Sequence, residues 1–211
     1  MEDICILPKR TNARARIIYN SEVQQNTKLI SGLEVLESNI FFDERGYFYE
    51  KYNRKFLLEK KIKFVQENIS LSKKGTIRGI HWQSNEKAQD KLVTCISGQI
   101  FDVAVDLRSD SETFGHYSFQ LLSGEINKSF WIPKGFAHGF QALSEDCLLS
   151  YSVTNDFSKE ESQTINPLCP ILNIEWPIVD KILSLNDSQA KNFNESLGQK
   201  IFFTGKNVAE G

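Results

Sequence analysis

The sequence predicts an all-β fold in which antiparallel strands form a sandwich or jelly roll. From residue 33 onward, short runs of β-type residues are separated by Gly, Asn, Ser and Asp, which is typical of strands joined by turns. Only two short stretches have the composition of a helix, and no repeat of about 20–50 residues is visible. Because all-β domains commonly run to about 200–250 residues, the 211 residues of this chain predict one domain with appendages.

The clearest strand lies at residues 98–108, where side chains alternate between two faces. One face carries Phe101, Val103, Val105 and Leu107, and the other carries Ile100, Asp102, Ala104 and Asp106. The two carboxylates predict that the second face lines a wet cavity rather than a dry core. Further strands are predicted at residues 33–38, 47–52, 63–72, 76–83, 91–97, 119–122, 128–132, 138–142 and 147–153. Short helices are predicted at residues 55–61 and 188–197.

The two ends of the chain differ from its middle. Residues 1–30 mix Lys and Arg with Asn and Gln and show no sustained strand or helix period. We interpret them as an arm that is either mobile or ordered only against a partner subunit. Residues 31–180 form the predicted jelly-roll domain, and residues 181–211 form a predicted C-terminal helical segment.

Composition excludes several classes of protein. The 25 Lys and Arg against 27 Asp and Glu give a net charge of −2, so no global field is available to hold a nucleic acid or an anionic membrane. No run approaches the roughly 18–20 apolar residues of a membrane span, and the start of the chain lacks the pattern of an export signal. The 4 cysteines form no C-x-x-C pair, which favours a reducing compartment. We therefore expect a cytoplasmic protein with neither nucleic-acid nor membrane partners.

Two of the 3 histidines lie in patterned segments. Residues 75–81 read G-x5-H and end at His81, while residues 133–138 read P-x-G-x-x-H and end at His138. The two segments resemble the two motifs of the cupins, which bring both histidines to the mouth of one small barrel. The resemblance implies a cupin-type antiparallel jelly roll, also called a double-stranded β-helix, with short C-terminal helices. The alternative is a pair of half-buried histidines satisfied by backbone partners, whereas His116 follows a glycine and is interpreted as a surface residue.

The same motif argues against a metal centre. Metal-binding cupins offer H-x-H together with a glutamate and a later histidine, but Gln83 occupies the second imidazole position here. An amide oxygen is a poor ligand for a transition metal, and two imidazoles alone rarely hold one tightly. We predict no metal and no other cofactor, so a histidine would act as an acid or a base.

Beyond the two histidine motifs, the chain resembles the dTDP-4-dehydrorhamnose 3,5-epimerase family over roughly residues 33–190. The matching segments are FDERGYFYE (42–50), FVQENIS (64–70), IRGIHWQ (77–83), QDKLV (89–93), FDVAVDLR (101–108), SETFG (111–115), PKGFAHGF (133–140), EWP (175–177) and LSLND (183–187). They occur in order and without large gaps.

The resemblance implies an epimerase that inverts C3, C5 or both in a nucleotide-linked 4-keto-6-deoxy sugar, for surface-polysaccharide synthesis. The expected reaction converts dTDP-4-dehydro-6-deoxy-D-glucose to dTDP-4-dehydro-L-rhamnose. Both carbons lie next to the C4 ketone, so removing a proton gives an enolate and returning one on the opposite face inverts the centre. Such a site needs a base, a cation at the enolate oxygen and an acid on the far side of the ring.

The resemblance also assigns these roles to residues. His81 is the base, Asp187 its partner, Lys91 the cation and Tyr151 the acid. Taken from the residues alone, Asp187 is equally suited to cap a helix, Lys91 to be a solvated lysine and Tyr151 to be a core aromatic.

Substrate-binding roles follow from the resemblance too. It assigns Arg78 to the sugar diphosphate, and Gln66 and Asn68, which share one face of a strand, to hydrogen bonds with the diphosphate or sugar. It places His138 near the ketone. Three residues are expected to be donated to the nucleotide site of a neighbouring subunit, which implies a homodimer: Arg45, Phe48 and Glu50. For Arg45 and Glu50 the alternative is a surface pair beside a turn.

The chain departs from the family at a few positions. Phe157 stands where many members have a second tyrosine, Cys169 stands where an Asp-Pro pair is usual, and the arm is longer than the family needs. A missing hydroxyl near the sugar keeps open inversion at C3 only and action on a GDP-linked 4-keto heptose. Two further alternatives are a cupin 3,4-ketoisomerase and a non-catalytic sugar-nucleotide binding module.

Overall fold

The computed structural model describes residues 29–196, whose regular secondary structure consists mainly of antiparallel β-strands. The strands are β1 (Glu34–Glu37), β2 (Ile40–Asp43), β3 (Gly46–Tyr49), β4 (Gln66–Ser72), β5 (Ile77–Gln83), β6 (Lys91–Ser97), β7 (Gln99–Asp106), β8 (Tyr117–Ser123), β9 (Lys128–Ile132), β10 (Phe136–Ala142), β11 (Cys147–Val153) and β12 (Ser162–Thr164). The helices are α1 (Arg54–Lys60), α2 (Leu185–Ser188) and α3 (Phe193–Ser196), with a 3-10 turn at Asn85–Lys87. The predicted all-β jelly roll with short C-terminal helices is confirmed.

Two five-stranded sheets form the body of the fold. Sheet I has the strand order β1-β9-β6-β11-β4, and sheet II has the order β12-β5-β10-β7-β8. Strands β2 and β3 form a separate two-stranded hairpin. Because β4 is the edge of sheet I and the next strand, β5, belongs to sheet II, the chain changes sheet between them.

Both faces of sheet II are buried, although only one of them faces sheet I. Ile100 and Ala104 of β7 join side chains of sheet I in the core between the sheets. Phe101 and Val103, on the other face, pack under the C-terminal segment, which contributes Trp176 among others. This segment thus acts as an additional layer that excludes water from the outer face of sheet II.

The expectation of a wet face on this strand is wrong. Asp102 and Asp106 are both fully buried, at 0% exposure. Asp106 accepts hydrogen bonds from Arg108, Ser111 and Thr113, which form the turn after β7. Burial would raise the pKa of Asp106, but these bonds outweigh it and lower the pKa to about 2.

Strands β2 and β12 do not correspond to any predicted strand. The helix expected at residues 188–197 is also wrong. It is replaced by the separate turns α2 and α3, and Phe193 at the start of α3 is fully buried in the core.

The predicted arm and C-terminal segment are only partly described. Of residues 1–30, all but Leu29 and Ile30 lie outside the described residues, as do residues 197–211. Ile30 belongs to the core between the sheets, and Leu29 packs against it. None of the helices in the described part of the chain has the length and apolarity that a membrane span requires.

Candidate active site

A large cleft of about 930 Å³ is lined by strands of both sheets and by the C-terminal segment. Its volume falls in the range of about 300–1,000 Å³ that is usual for small-molecule sites. The structure brings most of the predicted site residues together here, namely Gln66, Asn68, Arg78, His81, Lys91, His138, Tyr151 and Asp187. These residues come from six separate segments of the sequence, so the cleft exists only because the fold brings them together.

A close crossing of two glycines positions the histidines. Gly79 of β5 has a φ of +124°, and a Cβ added there would lie 2.5 Å from the Cα of Gly139 in β10. No side chain fits in that space, so the two strands can approach closely only with glycine at both positions. The register then places His81 directly opposite His138, beside a bulge in β10.

His81 is paired with a buried carboxylate. Its Nε2 lies 2.6 Å from Oδ1 of Asp187, which is 3% exposed. Burial raises the pKa of Asp187, but the hydrogen bonds from His81, Ser184 and the backbone of Gly79 outweigh it and hold the pKa below its usual range. The carboxylate is therefore charged, and it accepts the Nε2 proton and leaves the lone pair on Nδ1.

The alternative role of Asp187 as a helix cap is not what the structure shows. Ser184 caps α2, because its hydroxyl accepts a hydrogen bond of 3.0 Å from the backbone N–H of Asp187. The Asp187 side chain is thereby free to point at the imidazole.

Lys91 is a buried cation beside the same strand. It is 7% exposed, so the solvated-lysine alternative is excluded, and its Nζ donates to the carbonyl oxygen of His81 over 3.3 Å. Burial lowers the pKa of Lys91 to about 8, against the opposing effect of Asp102. An ammonium group that has lost most of its water interacts strongly with any negative charge that develops next to it.

His138 also has a carboxylate partner rather than a backbone one. Its Nε2 lies 2.7 Å from Oδ1 of Asp102, while Oδ2 of Asp102 has no hydrogen-bond partner among the described residues. Burial raises the pKa of Asp102, although His138 and Lys91 oppose the shift. Sequence reasoning assigned Asp102 to a wet surface and missed this pairing.

Tyr151 enters the cleft from the sheet opposite to His81. It belongs to β11 of sheet I, where its register partner is Asn68 of β4, whereas His81 belongs to β5 of sheet II. Burial raises the pKa of Tyr151, against a smaller lowering effect of Arg78, so its hydroxyl keeps its proton at neutral pH. A base and an acid on opposite walls are the arrangement that a proton transfer across a ring requires.

Polar groups occupy both ends of β4. Near its C-terminal end, Arg78 donates to the hydroxyl of Ser72 over 3.0 Å and to the carbonyl of Leu71 over 3.2 Å. At its start, the Gln66 amide donates to the Asn68 side chain over 2.7 Å. The cleft thus has a guanidinium at one end and two side-chain amides at the other.

The structure does not bring Arg45, Phe48 and Glu50 into this cleft. Arg45 lies in the β2–β3 hairpin and pairs with Asp43, its Nε donating to Oδ2 over 3.1 Å. Glu50 follows β3 and lines a separate cavity of about 290 Å³. The hairpin exposes its aromatic side chains, with Phe42 72% and Phe48 65% exposed.

Several known proteins are similar to this chain in sequence. The model of the dTDP-4-dehydrorhamnose 3,5-epimerase family matches residues 27–195. The dTDP-4-dehydrorhamnose 3,5-epimerase of Shigella flexneri is 43% identical over 162 residues, which cover 75% of this chain and 90% of the relative.

Solved structures give the same result. The dTDP-4-dehydrorhamnose 3,5-epimerase of Elizabethkingia anophelis has a TM-score of 0.75 and 44% identity, covering 81% of this chain and 96% of that one. A dTDP-6-deoxy-D-glucose-3,5-epimerase of Legionella pneumophila, solved in complex with dTDP-4-keto-L-rhamnose, has a TM-score of 0.76 and 44% identity. It covers 79% of this chain and 90% of that one.

Proposed function

Because this chain belongs to the dTDP-4-dehydrorhamnose 3,5-epimerase family, it is a nucleotide-sugar epimerase of the dTDP-rhamnose pathway, and we propose that His81 and Tyr151 carry its chemistry. The proposed reaction converts dTDP-4-dehydro-6-deoxy-D-glucose to dTDP-4-dehydro-L-rhamnose. The observation that carries the assignment is the His81–Asp187 pair of 2.6 Å on one wall of a cleft whose opposite sheet supplies Tyr151.

The first step removes a carbon-bound proton. Nδ1 of His81 takes the proton from C3 or C5, and the electron pair of the broken C–H bond forms the C=C bond of an enolate whose negative charge rests on O4. Asp187 stabilises the imidazolium that results, because a buried carboxylate already accepts its Nε2 proton. The Lys91 ammonium, which is itself buried, stabilises the charge on O4.

The second step returns a proton to the other face of the ring. The Tyr151 hydroxyl delivers it to the same carbon, the enolate electrons re-form the ketone, and the centre is inverted. The tyrosinate and the imidazolium that remain exchange protons with solvent before the next cycle. No redox change occurs, and the atoms of the substrate are all retained.

The proposed function is tested by incubating the protein with dTDP-4-dehydro-6-deoxy-D-glucose in D2O. We expect deuterium at both C3 and C5 and a product with both centres inverted, measured by NMR and mass spectrometry. Inversion and deuterium at C3 alone would show a C3 epimerase, and a relocated carbonyl would show a ketoisomerase. Binding without any exchange would show a non-catalytic module, and each of these three results would overturn the proposal.

Removing the Lys91 charge is expected to lower activity and raise stability. In Lys91→Met the enolate loses its cation, so we expect kcat to fall by about 10²–10³-fold. Burial lowers the pKa of Lys91 from 10.5 to about 8 in the folded protein, so the charged ammonium lowers the free energy of unfolding at pH values below 8. This destabilisation is lost as the pH rises from 8 towards 10.5, because the folded protein then no longer carries the buried charge. The variant should therefore gain up to about 3 kcal/mol in the free energy of unfolding at pH 7, and this gain should shrink between pH 8 and 10.5.

Denaturant unfolding between pH 6 and about 10.5 measures this difference. The exposed Lys63, which does not line the cleft, provides the control, since Lys63→Met should change neither kcat nor the pH dependence of stability. A Lys91→Met protein that is less stable than wild type at pH 7, or fully active, would refute the assigned role.

We propose further that the protein is a homodimer in which each β2–β3 hairpin completes the site of the partner subunit. The hairpin exposes Phe41, Phe42, Tyr47 and Phe48, each by more than half, and places them outside the cleft of their own chain. Apolar patches of this kind mark interaction surfaces. In this arrangement Arg45, Phe48 and Glu50 would contact the nucleotide bound by the partner.

The compartment we propose is the cytoplasm, where the buried thiols Cys95, Cys147 and Cys169 would stay reduced.

Mixing two inactive variants tests the shared site. We expect the double variant Arg45→Ala/Phe48→Ala and the single variant His81→Ala each to be inactive as pure dimers. In a hybrid dimer, one of the two sites has both an intact His81 and an intact hairpin, so statistical mixing should restore about a quarter of wild-type activity. Mixtures that stay inactive after subunit exchange, with hybrids verified by mass spectrometry, would rule out a shared site.

A further inference from the structure

One rim of the cleft is built from two loops that side-chain amides hold together. The rim consists of residues 84–90 and 154–161. The Asn155 amide donates to the carbonyls of Glu86 (3.1 Å) and Ala88 (2.7 Å), and the Gln89 amide donates to the carbonyl of Asn155 (2.7 Å). The residues of the rim carry little secondary structure, so these bonds determine where its backbone lies.

Gln83 makes the central contacts of this rim. Its Nε2 donates to the carbonyls of Lys87 over 2.8 Å and Asp156 over 3.0 Å, and its Oε1 accepts from the N–H of Ser158 over 2.7 Å. The side chain is 6% exposed, and both amide hydrogens and the oxygen are used on backbone groups. Gln83 therefore joins strand β5, two residues after His81, to both loops of the rim.

The contacts of Gln83 lie on both sides of one aromatic residue, Phe157. Phe157 lies between the two residues of the 154–161 loop that Gln83 holds, and its own N–H donates to Oε1 of Gln66 over 3.1 Å. Its side chain lines the cleft but is 64% exposed. The backbone of residues 156–158 is thus fixed by three hydrogen bonds to two glutamines, while the Phe157 ring is mostly exposed.

A ring that is fixed in place but exposed to the cleft is suited to contact a ligand. Binding to a mobile loop would carry the entropic cost of ordering that loop, whereas a loop already fixed by hydrogen bonds avoids this cost. The apolar area of the ring would then be buried by the bound molecule. Loss of the fixing contacts should therefore weaken binding while leaving the groups that move protons unchanged.

We propose that Gln83 is a positioning residue, which holds the rim so that Phe157 contacts the nucleotide-sugar substrate. This inference rests on the proposed function for the identity of the ligand. Gln83 itself does not take part in the chemistry, and it acts on affinity through the backbone of residues 156–158. The glutamine that occupies the position of a second cupin histidine thus has a role in shaping the cleft.

The test compares Gln83→Met with a matched variant elsewhere. Methionine has a similar length but makes none of the three bonds, so we expect KM for dTDP-4-dehydro-6-deoxy-D-glucose to rise about tenfold while kcat stays within about twofold. The control is Gln141→Met: Gln141 is fully buried, binds the carbonyl and N–H of Ile178 in the same manner, and is absent from the cleft lining. It should lose stability without a change in KM.

A double-mutant cycle separates this role from a general loss of structure. Phe157→Ala should raise KM to a similar degree, and Gln83→Met/Phe157→Ala should raise it no further, because both changes remove the same contact. If Gln83→Met does not fold, Gln83→Glu keeps the bond from Ser158 and the shape, and should show the same change in KM. Wild-type turnover combined with an unchanged KM in the Gln83 variants, or additive effects in the cycle, would overturn the inference. Absence of wild-type turnover would instead overturn the proposed function.

Discussion

Replacing His81 by alanine is expected to stop proton exchange at both C3 and C5 of the substrate. The His81 imidazole is the side chain whose charge Asp187 stabilises, and the proposed mechanism assigns removal of the carbon-bound proton to it. A positioned acid or base contributes about 10²–10⁴-fold to rate, and we expect deuterium uptake from D2O to fall by about that factor. Mass spectrometry of the sugar nucleotide recovered at successive incubation times measures the deuterium uptake.

Two further variants make this result specific. Asp187→Asn should lower the rate by a smaller factor, since the imidazole remains but loses the charge that favours its protonated form. His116→Ala should leave uptake unchanged, because His116 is exposed and does not line the cleft. Uptake by His81→Ala at the wild-type rate would reject the assignment of the base.

The strands that sequence analysis predicted well are those with a long alternating pattern. Strand β7 and its neighbours bury both faces, and the pattern correctly divided Phe101 and Val103 from Ile100 and Ala104. What it could not show is what covers each face. Sheet I covers the face that carries Asp102 and was predicted to be wet, while the C-terminal segment covers the opposite face, and both contacts join residues far apart in sequence.

The site illustrates the same limit on a smaller scale. His81 and His138 lie in local motifs, so each could be found from a few neighbouring residues. Their partners lie 106 and 36 residues away, respectively, and no spacing rule connects such distant positions. Asp187 was proposed only through the resemblance, whereas Asp102 and the contacts of Gln83 required the fold itself.

The hydroxyl of Tyr151 is expected to separate proton removal from inversion. In Tyr151→Phe the base is intact, so His81 can still remove a proton, exchange it with D2O and return a deuteron to the face from which the proton left. We therefore expect deuterium in recovered substrate of unchanged configuration, while epimer formation falls by about 10²–10⁴-fold. NMR of the recovered substrate distinguishes the two processes, because exchange and inversion are measured at the same carbon.

The separation of exchange from inversion is the strongest test of a site with its base on one sheet and its acid on the other. If His81 alone served both faces, Tyr151→Phe would form epimer at the wild-type rate. If Tyr151 were instead the base, the substitution would stop exchange as fully as His81→Ala does. The control is Tyr117→Phe, which removes a hydroxyl that accepts a bond from the N–H of Glu175 away from the cleft and should change neither exchange nor inversion. Only an acid on sheet I facing a base on sheet II predicts exchange that continues after inversion has stopped.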